Sequence, residues 1–172
     1  FRLDSSSVVF VSSMEDALRY GPFDLVLFAL KSYDTSAALE TLKPYADKMP
    51  PILCLSNGIS NEQAIARVAG KEKVIYGTVT TAVGRRGPGD IVLERLRGVG
   101  IAKGHPLVAS LFVAFENALL NPRLFDDAME MKWSKLLTNL IANPTSAILD
   151  MTAAEILANR KLYKLEVEML RE

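Results

Sequence analysis

Residues 23–30 read FDLVLFAL. The run is almost continuous in Leu, Val and Phe, as expected of a β-strand covered on both faces. The segments after it decide the fold. Residues 34–48 carry apolar side chains at Ala37, Ala38, Leu42 and Tyr45, close to helical spacing, and Pro50-Pro51 ends the pattern. Residues 52–55 (ILCL) then read as a second buried strand, closed by the turn pair Asn57-Gly58. Short apolar runs alternating with amphipathic stretches predict a parallel sheet with crossover helices.

Working outward, residues 7–11 read as a short strand, 61–69 as a helix and 74–80 as a strand. Residues 87–89 form a turn into a further run, 90–95. After Gly104 the strand-like runs disappear and helical periodicity takes over at 106–117, 126–142, a short piece from Pro144, and 159–172. The predicted fold class is therefore α/β followed by all-α, with the boundary at 98–106.

The 172 residues hold 20 Lys+Arg against 20 Asp+Glu and are 49% hydrophobic. That balance argues against a general nucleic-acid binder, which would show a basic excess to offset phosphates. No run approaches the roughly 18 apolar residues of a membrane span. Cys54 is the only cysteine and His105 the only histidine. An intramolecular disulfide, a Cys-based or His-rich zinc site and a Ser/His/Asp triad are all excluded, and a reducing, cytoplasmic setting is expected. The chain starts at Phe1 and its last helical pattern is cut at Glu172, which suggests a piece of a longer protein.

Residues 132–146, KWSKLLTNLIANPTS, are the richest in candidate chemistry. On one continuous helix Lys135, Asn139 and Asn143 would fall at about 0°, 40° and 80°, a narrow polar stripe on an otherwise apolar surface. Two readings are open. The asparagines could tie helix ends together while Lys135 snorkels to water, or an ammonium flanked by two amides could hold a small oxygen-rich ligand. Asn143 is also placed to cap a new helix, with Pro144 at its first position. A second set, Lys31 and Asn57-Gly58, comes directly after two predicted strands, and open parallel sheets bind ligands at the carboxyl ends of their strands. The glycine-rich GRRGPG at 84–89 precedes a strand and reads as a hairpin turn with Arg85 and Arg86 in solvent.

LKSYDT at 30–35, SNGI at 56–59, Gly77-Thr78, and the tryptophan, lysine, asparagine and Asn-Pro spacing from Trp133 to Ala147 together resemble the ketopantoate reductase (2-dehydropantoate 2-reductase) family. The resemblance implies a partial Rossmann-type NADP-binding domain at 1–104. It also implies part of a helical substrate and dimerisation domain at 105–172, with the active site in the cleft between the two. It further implies NADPH-dependent reduction of a 2-oxo acid to a 2-hydroxy acid, ketopantoate to pantoate foremost, in pantothenate biosynthesis. Lys135 matches the family's catalytic lysine, the general acid. Asn139 and Asn143 match substrate-binding asparagines, and Lys31 and Asn57 match residues near the nicotinamide and the substrate. The partners expected are a small 2-oxo acid and, through the helical half, a second copy of the chain. A paralogue acting on another 2-oxo acid, or a non-catalytic dimerisation or binding module of the same fold, are the alternatives.

The family's Gly-x-Gly-x-x-Gly turn does not occur in these residues. Neither do its later glutamate and serine, and Glu166 and Glu168 do not stand in for them. The piece by itself is expected to have little or no activity.

Overall fold

A computed structural model describes residues 5–172. Its contacts form two compact units: the first ends at Gly77 and omits Asn57–Ile59, and the second takes Asn57–Ile59 and Thr78–Glu172.

The first unit begins with a short helix, α1 (Met14–Leu18), capped by the Ser13 side chain. Then come β1 (Val26–Phe28), α2 (Thr35–Leu42), β2 (Ile52–Cys54), α3 (Asn61–Ala69) and β3 (Val74–Val79), whose last two residues group with the second unit. β1 pairs with β2 and β2 with β3, both parallel, with Val26 opposite Ile52 and Ile52 opposite Val74. Each connection is a helix, as the alternation in the sequence requires. The core joins Phe28, Leu39, Leu42, Ile52, Cys54, Ile65 and Val74. Each large aliphatic side chain in it contributes about 1.5–3 kcal/mol by leaving water. α2 tightens into a 3-10 helix at Lys43–Lys48, where Pro44 supplies no N–H for an α-helical bond.

Two expectations fail in this unit. Residues 8–11 form no strand: a 3-10 turn at Ser5–Ser7 leads into chain without regular structure, Phe10 is 88% exposed, and no described strand pairs with the segment. Extended apolar sequence becomes a strand only where a neighbour accepts its backbone bonds. The run at 23–30 is a strand only at Val26–Phe28, and it is not covered on both faces: Phe28 is buried while Leu27 is 56% exposed.

The second unit opens with the hairpin β4 (Ala82–Gly87) and β5 (Asp90–Arg95), antiparallel and turned at Pro88-Gly89, as the glycine-rich stretch predicted. Arg85 and Arg86 are exposed. β6 (Val99–Ala102) is buried throughout and pairs in parallel with β7 (Pro122–Phe125), with α4 (Val108–Asn117) connecting them. Four helices complete the chain: α5 (Ala128–Leu140), α6 (Asn143–Leu149), α7 (Ala153–Ala158) and α8 (Arg160–Met169). A mostly parallel α/β part is thus followed by an all-helical part. The expectation that strands cease after Gly104 is corrected by β7, which begins on a proline, a residue a strand tolerates at its first position. No helix among the described residues is long and apolar enough to cross a membrane.

Gly100 sets the spacing inside the second unit. A Cβ there would come within 2.9 Å of Phe125 and Thr78 side-chain atoms and 3.0 Å of the Met131 sulfur. Only glycine lets these groups close over β6.

Candidate active site

α5 starts at Asp127, whose carboxylate accepts from the backbone N–H groups of Met129 at 2.7 Å and Glu130 at 2.9 Å. Its first turn is anchored by Met131, which is buried in the contact that Gly100 permits. One turn later Lys135 is half-buried and lines a cavity of 90 Å³ with Thr78, Thr80, Arg97, Phe125, Met131, Ser134 and Thr138. The threonines and Ser134 supply hydroxyls, and Phe125 and Met131 supply apolar wall. Thr80 is held by its own hydroxyl and N–H, both donating to the Gly98 carbonyl at 3.0 Å. Among the described residues, Arg97 and Lys135 are the only charged groups around the cavity. Burial, and secondarily the Arg97 guanidinium, hold the Lys135 ammonium below the ordinary lysine range. That is the shift a proton donor working near neutral pH requires.

The other predicted residues occupy different settings. Asn139 is half-buried, four residues beyond Lys135 on the same helix. Asn143 is not on that helix. α5 ends at Leu140, Ala142 turns left-handed with φ 62°, and Asn143 is the first residue of α6. The continuous stripe at 0°, 40° and 80° is therefore corrected to a pair on α5 and a third amide after a corner. Asn143 does not cap α6 either. The buried carboxylate of Glu166, from α8, does that work: it accepts from the Ala142 N–H at 2.8 Å and from the Thr145 hydroxyl at 2.5 Å. The Asn143 side chain is exposed and makes no described hydrogen bond.

Glu168 is exposed, 3.8 Å from Lys164. Glu166 is the residue the sequence did not reveal. Its signal was a lone acid among the apolar positions of an amphipathic helix.

Asn57 lies past the carboxyl end of β2, is exposed, and groups with the second unit. Lys31 lies in the first unit, exposed, three residues after β1 and preceding the short 3-10 turn Ser32–Asp34. That turn is fixed from below. The Thr35 hydroxyl donates to the Asn61 side-chain oxygen at 2.7 Å, and the Asn61 amide donates to the Ser32 hydroxyl at 3.2 Å. Asn61 had read only as the start of a helix. It is in fact buried and ties the loop after β1 to α3.

Comparison with known proteins agrees in both halves. The profile of the family described as ketopantoate reductase PanE/ApbA matches residues 2–104, and that of its C-terminal part matches 127–172. The 2-dehydropantoate 2-reductase of Pyrococcus horikoshii is 31% identical over 154 residues, covering 87% of this chain and 50% of that protein. The chain spans about half the length of the curated relatives it matches. Among solved structures, the 2-dehydropantoate 2-reductase of Geobacter metallireducens superposes with a TM-score of 0.79 at 29% identity, over 93% of this chain and 54% of that one. The PanE/ApbA family ketopantoate reductase of Ralstonia eutropha gives 0.76 at 26%, over 86% and 49%. With profiles matched on both sides of the helical junction and Lys135 set in a cavity on α5, the chain belongs to the ketopantoate reductase family.

Proposed function

We propose that the protein containing this chain reduces a 2-oxo acid to a 2-hydroxy acid with NADPH, ketopantoate to pantoate foremost, with Lys135 as the general acid. The observation that carries this is the half-buried lysine in a cavity it shares with Arg97, its ammonium held below the ordinary range. The names of the relatives, 2-dehydropantoate 2-reductase, support the choice of acid.

The residues present fit the nicotinamide end of such a cofactor. Lys31 lies past the carboxyl end of β1 and is exposed, so its ammonium can donate to amide or ribose oxygens, and Asn57, past the carboxyl end of β2, is the asparagine that matches the family's by resemblance. A bound nicotinamide supplies the hydride. As the carbonyl carbon is reduced, negative charge develops on its oxygen. The Lys135 ammonium stabilises that charge and then transfers its proton to the oxygen. Asn139 and Asn143 bind the substrate's polar groups, and Asn143 has its amide available because Glu166 performs the helix capping. Phe125 and Met131 keep water from one side of the reacting carbonyl.

In this reading residues 1–104 form a Rossmann-type domain and 105–172 part of the helical domain, a division supported by the profile boundaries. The setting is cytoplasmic, and the protein works as a homodimer through its helical half.

The test is Lys135→Ala in the full-length protein. Turnover should fall about 10²–10⁴-fold, the usual worth of a general acid, while NADPH binding is retained. Near-normal turnover would reject the assignment.

A further inference from the structure

Residues 31–34, the turn that carries Lys31, are all exposed, so burial contributes little to holding it. Two backbone bonds close the turn. The Lys31 carbonyl accepts from the Asp34 N–H at 2.9 Å, and the Ser32 carbonyl accepts from the Thr35 N–H. Both are of the short 3-10 kind, whose geometry is poorer than that of an α-helix, and bonds so local can open without disturbing the rest of the unit.

Asn61 supplies a hold from outside the turn. It is 3% exposed and starts α3. An asparagine at a helix start ordinarily folds its side chain onto nearby backbone. The two described bonds of this side chain leave the helix instead: its oxygen accepts from the Thr35 hydroxyl and its amide donates to the Ser32 hydroxyl, across 26 and 29 residues of chain. The two bonds support different things. Thr35 is buried and opens α2, so its bond joins two helices. Ser32 is exposed and adjoins Lys31, so its bond acts on the turn.

We propose that Asn61 is a positioning residue for cofactor binding: through Ser32 it keeps the Lys31 turn in its binding conformation before the cofactor arrives. The inference rests on the reading of Lys31 as a contact to the nicotinamide end. A loop that becomes ordered only on binding subtracts its lost entropy from the affinity, and a loop already ordered does not. The effect therefore falls on cofactor affinity and leaves the proton step at Lys135 alone.

The test titrates the full-length protein with NADPH, followed by the cofactor's fluorescence. Ser32→Ala should raise the NADPH dissociation constant about three- to tenfold, the usual worth of one such bond, with kcat at saturation within about twofold and Tm nearly unchanged. Thr35→Val should do the reverse, lowering Tm while moving the dissociation constant less than Ser32→Ala does. Asn61→Ala should lose both properties. Asn61→Asp, whose carboxylate can accept from both hydroxyls at a helix start that favours negative charge, should recover most of the affinity. In a Lys31→Ala background Ser32→Ala should have no further effect on NADPH, because the bond acts through that lysine. Without cofactor, trypsin should cut after Lys31 several-fold faster in Asn61→Ala than in the unaltered protein.

Unchanged NADPH affinity in Ser32→Ala, where Lys31→Ala weakens it, would overturn the proposal. So would an equal loss from Ser32→Ala with and without Lys31, or cleavage after Lys31 that does not accelerate in Asn61→Ala. Lys31→Ala with unchanged NADPH affinity would reject the reading of Lys31, and the proposal with it. NADPH binding that depends on Lys31 and Ser32 in a protein that reduces no 2-oxo acid would instead reject the reductase reading and leave the positioning role standing.

Discussion

Lys31 and Lys135 are the same side chain held in two different ways. Lys31 projects from a loop into solvent, and the loop is steadied from beneath by neutral hydrogen bonds among Ser32, Thr35 and Asn61. Lys135 stands on a thirteen-residue helix, half-buried in a cavity with a second cation nearby. The first arrangement leaves an ammonium as a mobile point charge, suited to contacting a ligand. The second changes the ammonium's acidity and suits it to giving up a proton. Two sites that look alike as Lys-containing motifs are therefore separated by their surroundings.

The contrast breaks most visibly in turnover. Lys135→Ala should remove about 10²–10⁴-fold of kcat, whereas Lys31→Ala should act mainly on cofactor KM and cost kcat less than about tenfold. Equal kcat losses in steady-state assays would show that the difference in burial has no chemical meaning. The supports should differ in the same direction. Glu166→Ala strips a buried carboxylate from two donors and should destabilise by about 3 kcal/mol in denaturant unfolding. Thr35→Val removes one neutral bond and should cost about 1 kcal/mol.

The smallest effect is in pH. A lysine held below its ordinary range loses its proton at lower pH, so the alkaline limb of kcat should fall below the pH of an ordinary lysine. Arg97→Gln removes the lesser of the two causes, and the limb should move upward without reaching the ordinary value. The folded state binds fewer protons than the unfolded one between the lowered and ordinary values, so the Lys135 contribution to stability rises with pH across that window. A limb that does not move in Arg97→Gln would show that burial alone sets the acidity.

Local signals were legible where one segment carries its own pattern. The helix at 61–69 and the hairpin turn before Asp90 are found where the periodicity and the Pro-Gly pair place them. The strand β6 was hidden because its VGIA sequence is short and holds glycine at the point where Phe125 and Met131 press closest, so it looked like a boundary. The segment at 7–11 failed for the opposite reason: its residues favour a strand, but pairing is a property of neighbours.

That Lys135 and Asn139 share one helix was readable from helical spacing. The corner at Ala142 was not. It depends on a carboxylate 24 residues away in the chain, and no pattern within residues 132–146 could announce it. Arg97 was invisible for a similar reason, since its meaning comes from the helix it meets in space.

The link between Ala142 and Glu166 makes one amide proton an indicator for a whole helix. Ala142 is 1% exposed and lies between α5 and α6, yet its N–H is sealed against a carboxylate from α8. In deuterated solvent this proton should exchange as slowly as those in the middle of a helix, and only when α8 lifts away should it become labile. The tightness with which the last helix is docked could thus be followed at the residue next to Asn143.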